Sequence, residues 1–104
     1  MTKNGKEKKV LEKDIERRMV LEIRKMGGLC LKFTSPGLRG VPDRIVILPG
    51  GKISFVETKT EGGRLSQQQQ AVLARFSRLG VDWSVVATPA QLDLFLEHCR
   101  GETG

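Results

Sequence analysis

A chain of 104 residues can bury one hydrophobic core but has no room for a second, so a single small module is expected. Its 18 Lys and Arg against 12 Asp and Glu leave a formal net charge of +6; such an excess favours a polyanionic partner, because each phosphate neutralised releases counterions. No apolar run approaches the roughly 20 residues of a membrane span. The leader lacks the apolar stretch of an export signal. The two cysteines, Cys30 and Cys99, show no metal-ligand spacing and no disulfide framework, which points to a reducing cytoplasm.

Residues 1–9 carry Lys3, Lys6, Lys8 and Lys9 against Glu7 alone and have nothing to bury. They are expected to form a flexible basic arm, either merely solubilising or in contact with phosphates. One domain is expected over residues 10–100. Within it, Leu11, Ile15, Met19, Ile23 and Met26 recur at helical spacing from Val10 to Met26, and Gly27-Gly28 stops the helix. At about 100° per residue Glu16 falls roughly 20° from Ile23 and 40° from Val20, on the flank of the buried stripe. Glu12 shares that line one turn earlier. Read from the residues alone, both can be boundary glutamates that reach out to solvent.

Leu29 to Phe33 reads as a short strand, and Thr34 to Pro42 as a loop punctuated by Pro36, Gly37 and Gly40. Arg39 lies near the loop tip, where it and backbone N–H groups can approach a phosphate; Lys32 and Arg44 are further candidates for that contact. Two β-branched apolar runs follow, Gly40 to Leu48 and Ile53 to Lys59, joined by a turn at Pro49-Gly50-Gly51. Each carries charge that an ordinary buried strand avoids. Asp43 opens the first run. Alternation places Glu57 and Lys59 on one face of the second and Thr58 on the other. Carboxylates a few Å apart repel by roughly 4 kcal/mol at an effective dielectric near 20, unless a cation neutralises them. Oxygen ligands suit Mg²⁺ or Mn²⁺, and a neighbouring lysine can position water or stabilise charge on a phosphoryl oxygen.

Thr60 to Arg64 is a turn, whose Arg64 adds to the cationic set. Ser66 then opens a helix to about Leu79, with Val72, Leu73, Phe76 and Leu79 as its expected buried face. Ser66 and Gln69 fit a capping box, which would make the glutamine structural. Gly80 ends the helix, Trp83 to Ala87 returns as a strand, and Thr88-Pro89-Ala90-Gln91 starts a last helix with a second capping pattern. Leu92, Phe95, Leu96 and Cys99 give that helix its apolar face. His98 is expected at the surface and Trp83 in the core. Because crossover connections are right-handed, the last strand should run parallel to the third.

Pro42-Asp43 followed by Glu57-Thr58-Lys59 resembles the PD-(D/E)xK nuclease signature. Gly40-Val41-Pro42-Asp43-Arg44, Phe55-Val56-Glu57-Thr58-Lys59 and Leu65-Ser66-Gln67-Gln68-Gln69 together resemble the virus-type replication-repair nuclease domain, VRR-NUC, from about Glu12 to about Leu96. The resemblance implies an α/β fold with a restriction-endonuclease-like αβββαβ core: a small mixed sheet flanked by helices, here with an added C-terminal helix. It further implies Asp43 and Glu57 as ligands of Mg²⁺ or Mn²⁺, the Thr58 carbonyl as another, and Lys59 as the catalytic ammonium. A first-helix glutamate joins the metal; Glu16 is chosen because its spacing to Gly27 is similar to that in related archaeal junction resolvases, with Glu12 in reserve. A functional glutamine is implied at Gln69, a role that one side chain is not expected to combine with capping. Branched DNA is the implied partner, with Holliday junctions cut by a homodimer in the cytoplasm of a bacterium or phage-infected host; sequence does not place the interface, to which a terminal helix face such as that of Leu92, Phe95 and Leu96 could contribute. A flap or general DNA nickase, a non-catalytic nucleic-acid-binding module and a regulatory interaction subunit are the alternatives.

Overall fold

The computed structural model describes residues 12–103; the basic arm expected at residues 1–9 and the expected helix start at Val10 lie outside the described residues. Three helices and four strands follow in the order α1 (Glu12–Lys25), β1 (Leu29–Lys32), β2 (Arg44–Leu48), β3 (Lys52–Thr58), α2 (Gln67–Arg78), β4 (Trp83–Val86) and α3 (Pro89–Thr103). The α/β αβββαβ core with an added C-terminal helix is therefore the observed architecture.

Helix α1 buries Ile15, Met19 and Ile23 along one stripe. It ends because Gly27 adopts φ 89°, letting Gly27 N–H reach Arg24 O and Gly28 N–H reach Ile23 O, the paired bonds of a Schellman motif. Helix α2 closes in the same way, with Gly80 N–H on Ser77 O and Val81 N–H on Phe76 O. That ending corrects one expectation. Leu79 is the C-cap of α2 and 77% exposed, because the chain turns away there before its side chain can reach the sheet.

The sheet order is β1-β2-β3-β4. β1 to β3 form an antiparallel meander, with Cys30 opposite Val46 and Val46 opposite Ser54. β4 pairs parallel to β3, Phe55 opposite Trp83, the crossover through α2 returning the chain in the same direction. Strand alternation then sorts the side chains. Val46, Leu48 and Val56 join Cys30 and Val86 in a core closed by Ile15, Met19 and Ile23 of α1 and by Leu92, Phe95, Leu96 and Cys99 of α3. On the other face Phe33, Phe55 and Phe76 stack edge to face with centroids 5.2 and 5.0 Å apart, which ties α2 to the sheet. Leu92, Phe95 and Leu96 are 0–4% exposed, so the expectation that they contribute to a dimer interface does not hold: the intramolecular core consumes them. Trp83 is half-buried and donates to Ser77 Oγ; His98 is at the surface as expected.

Candidate active site

The site gathers where β2 begins and β3 ends. Register brings these two strand ends together, since Arg44 lies opposite Val56 and the flanking Asp43 meets the Glu57-Thr58 end of β3. The Thr58 N–H donates to Asp43 Oδ1 at 3.0 Å, and the Thr58 hydroxyl lies 2.5 Å from Asp43 Oδ2. The same hydroxyl is 3.0 Å from Glu12 Oε2, carried in from the first turn of α1. A threonine hydroxyl has one proton, so only one of these carboxylates can accept it.

Glu12, Glu16 and Asp43 each bring a carboxylate oxygen within 4.8 Å of the other two. A set of oxygens alone, more negative than its single buried cation Arg44 can balance, fits a hard divalent ion such as Mg²⁺ or Mn²⁺. Glu16, the favoured first-helix ligand, accepts from Arg44 Nε at 3.1 Å and Nη2 at 2.8 Å. Glu12, the reserve, is the helix carboxylate on the Thr58 hydroxyl. Arg44, expected at a phosphate, is 9% exposed and engaged with Glu16. Lys32, Arg39 and Arg64 are exposed, with no ion pair to a described residue.

Glu57 sits apart from that trio, on the opposite side of β3 from Thr58. It is 5% exposed, with Lys59 Nζ 3.7 Å from its Oε2. Burial, and next the charge of Asp43, push its carboxyl above the ordinary glutamate value, while Lys59 and a bond from the Asp43 backbone oppose the rise. Gln69 Nε2 donates to Glu57 Oε2 at 2.8 Å. The rest of the Gln69 side chain completes the capping box: its Oε1 accepts from Ser66 N–H at 2.8 Å while Ser66 Oγ accepts from Gln69 N–H at 3.0 Å. Capping and contact with the site are thus combined in one residue, because the amide offers an acceptor at one end and a donor at the other. The sequence expectation that they exclude each other is corrected.

Gly40 sets how α2 meets this site. It has φ 92°, and a Cβ there would lie 2.7 Å from Gln68 O and 3.0 Å from Gln69 N. Only glycine lets the loop before β2 lie against the first turn of α2. Sequence reading saw Gly40 as loop punctuation; its offset of two residues before Pro42-Asp43 was the available signal.

The VRR-NUC domain family model matches residues 6–88. A phage protein named "Putative nuclease p44", from Acyrthosiphon pisum secondary endosymbiont phage 1, is 51% identical over 71 residues, covering 68% of this chain and 76% of that protein. A solved structure described as a VRR_NUC domain superposes with a TM-score of 0.78 at 34% identity, covering 84% of this chain and 95% of that one. With the family model spanning most of the chain and a relative 51% identical over 71 residues, this chain belongs to the VRR-NUC domain family, a family of nuclease domains.

Proposed function

We propose that this chain is a divalent-metal-dependent endonuclease that hydrolyses phosphodiester bonds in DNA. The observation that carries the reading is the Thr58 hydroxyl shared by Asp43 and Glu12, with Glu57 and Lys59 on the adjoining face of the same strand end. Asp43, Glu12 and Glu16 would hold Mg²⁺ or Mn²⁺, with Glu57 and the Thr58 carbonyl as further oxygen donors from β3. The ion, when bound, supplies charge neutralisation at the phosphoryl oxygens and a more acidic water. Thr58 fixes the rotamer of Asp43 through two bonds. Arg44 orients Glu16 through two hydrogen bonds from its guanidinium. Lys59 carries its ammonium beside Glu57, where it stabilises the charge that grows on a phosphoryl oxygen in the transition state. Gln69 holds the Glu57 carboxylate from the α2 side. Arg39, Arg64 and Lys32, exposed and free of described partners, would follow the phosphate backbone and confer affinity without base readout.

One such site cuts one strand, so symmetric cutting of a four-way junction calls for a homodimer on the twofold axis of its substrate. The α3 apolar face is buried, and Leu29 and Leu31 of β1, 53% and 45% accessible, are among the exposed apolar residues that could serve such a contact. Nicking of labelled duplex, flap and four-way-junction DNA with Mg²⁺ or Mn²⁺, and its loss in EDTA, tests the enzyme reading. Light scattering at micromolar concentration tests the dimer. A nuclease that scatters as a monomer and prefers flaps removes the junction reading and keeps the enzyme.

A further inference from the structure

A second feature lies at the other end of β3. β4 begins pairing only at Phe55, whose N–H donates to Asp82 O. In an antiparallel ladder the N–H and C=O of successive residues point to opposite sides, and those of alternate residues to the same side. Ile53, two residues earlier, therefore directs its backbone the same way as Phe55, to a place where no strand stands. The α2–β4 turn bends away there through Gly80, Val81 and Asp82, leaving a cavity of about 520 Å³. Its walls come from both faces of the sheet. Leu48, Ser54 and His98 lie on the α3 side; Ile45, Ile53 and Phe55 lie on the other.

Ser54 carries the second observation. It is 3% exposed, and its hydroxyl is the one buried side-chain polar atom without a hydrogen-bond partner among the described residues. A buried hydroxyl left unpaired is costly. Ser54 is among the residues that line the cavity.

We propose that the bare edge of β3 is a binding site for an extended, uncharged peptide segment of a partner protein, added to the sheet as a short strand in line with β4. Three features select that occupant. An extended main chain satisfies the Ile53 N–H and C=O together, as strand addition does elsewhere. Consecutive side chains of a strand fall on opposite faces, matching a cavity walled by residues of both faces of the sheet, Ser54 on one and Ile45 and Phe55 on the other. The lining charges are of both signs, Lys52 against Asp82, and the Asp82 carboxylate disfavours a phosphate backbone. The site is remote from the carboxylates along the strand and does not rest on the nuclease reading.

The experiment titrates the ¹⁵N-labelled chain with capped pentapeptides of the form Thr-X-Thr-X-Thr, X being Val, Ile, Leu, Met, Phe, Asp or Lys. At least one apolar X should produce saturable shifts at the Ile53, Ser54 and Asp82 amides below about 5 mM, an affinity of the order expected for a short strand contact. The Ile53 amide should exchange roughly 10-fold more slowly when bound. Asp and Lys peptides should bind more weakly. Ile53→Pro removes the donor at an edge position that tolerates proline and should abolish the shifts; N-methylating the peptide at its central residue asks the same question in the unaltered protein. Absence of saturation by every apolar peptide overturns the proposal, as does binding indifferent to both the proline and the N-methyl group. Equal shifts at these amides on adding duplex DNA would reassign the edge to nucleic acid.

Discussion

Gln69 stands between two demands: its Oε1 caps α2 through Ser66 N–H, and its Nε2, 2.8 Å from Glu57 Oε2, fixes a buried carboxylate. Replacing it separates the two. Gln69→Glu keeps the capping acceptor but turns a donor toward Glu57 into a second negative charge. Its thermal stability should match the parent protein near pH 4 and fall behind at pH 7. Gln69→Ala should lose about 1 kcal/mol from the cap at both pH values. Thermal melts of the two variants across pH make the comparison.

Lys59→Ala should reduce cleavage by about 100-fold or more while DNA affinity changes little, because the lost interaction strengthens only as charge develops. Asp43→Asn should abolish metal-dependent cleavage, with DNA binding retained or tightened as a negative charge disappears. Single-turnover rates alongside binding isotherms distinguish these outcomes. Unchanged turnover in the lysine variant would remove Lys59 from the mechanism.

The pH dependence of the metal-free protein follows from Glu57. Its carboxyl is raised by burial first and by Asp43 second, so the folded state holds the proton more tightly than the unfolded chain does. The stability this group contributes is fully present below the unfolded glutamate value and is lost as pH rises through the folded one. Glu57→Gln keeps an acceptor for Gln69 and removes the charge. In EDTA its melting temperature should exceed that of the parent protein by a few degrees at pH 7 and converge with it in acid.

Burial pushes the Cys30 thiol up to about 11, with Glu16 and Asp43 reinforcing the rise against Arg44. At pH 8 the native thiol is almost wholly protonated and should react with an alkylating reagent at least about 100-fold more slowly than in denaturant. Mass spectrometry of Cys30-containing peptides after timed alkylation reads this out.

Gly40→Ala combines a positive φ with a Cβ 2.7 Å from Gln68 O. The backbone conformation alone costs a non-glycine residue about 1–2 kcal/mol, and the contact forces the loop off the first turn of α2. Loss of about 2 kcal/mol or more in denaturant unfolding is expected. Cleavage should drop further than stability, since Gln69 moves with that turn.

The elements were legible because their signals are local. Periodicity marked α1, Gly27 and Gly80 marked two helix ends, and the helix between β3 and β4 marked a crossover that returns β4 parallel to β3. At the site, alternation correctly divided Glu57 and Lys59 from Thr58. What it could not supply was the azimuth of α1 over the sheet. Glu12 and Glu16 differ by one turn on the same line, and only packing decides which meets Thr58 and which meets Arg44. For the same reason Arg44 read as a surface cation: a buried guanidinium needs a partner, and Glu16, 28 residues away in sequence, is invisible to local pattern. The apolar face of α3 was seen, but whether α1 or a second copy covers it is a tertiary fact.

The β2–β3 hairpin has two ends with different duties. Asp43 and Glu57 to Lys59 sit at its open end, while Pro49 to Gly51 closes it about 16 Å away, five strand residues off. Gly50 and Gly51 are exposed, and no atom lies within 4 Å of where their side chains would project. Such tips accept inserted sequence readily. A fluorophore or affinity tag grafted between these glycines would report on the molecule without touching its chemistry, and it would sit next to Ile53 at the unfilled strand edge. Engineering at that corner can therefore separate what the protein cuts from what it recruits.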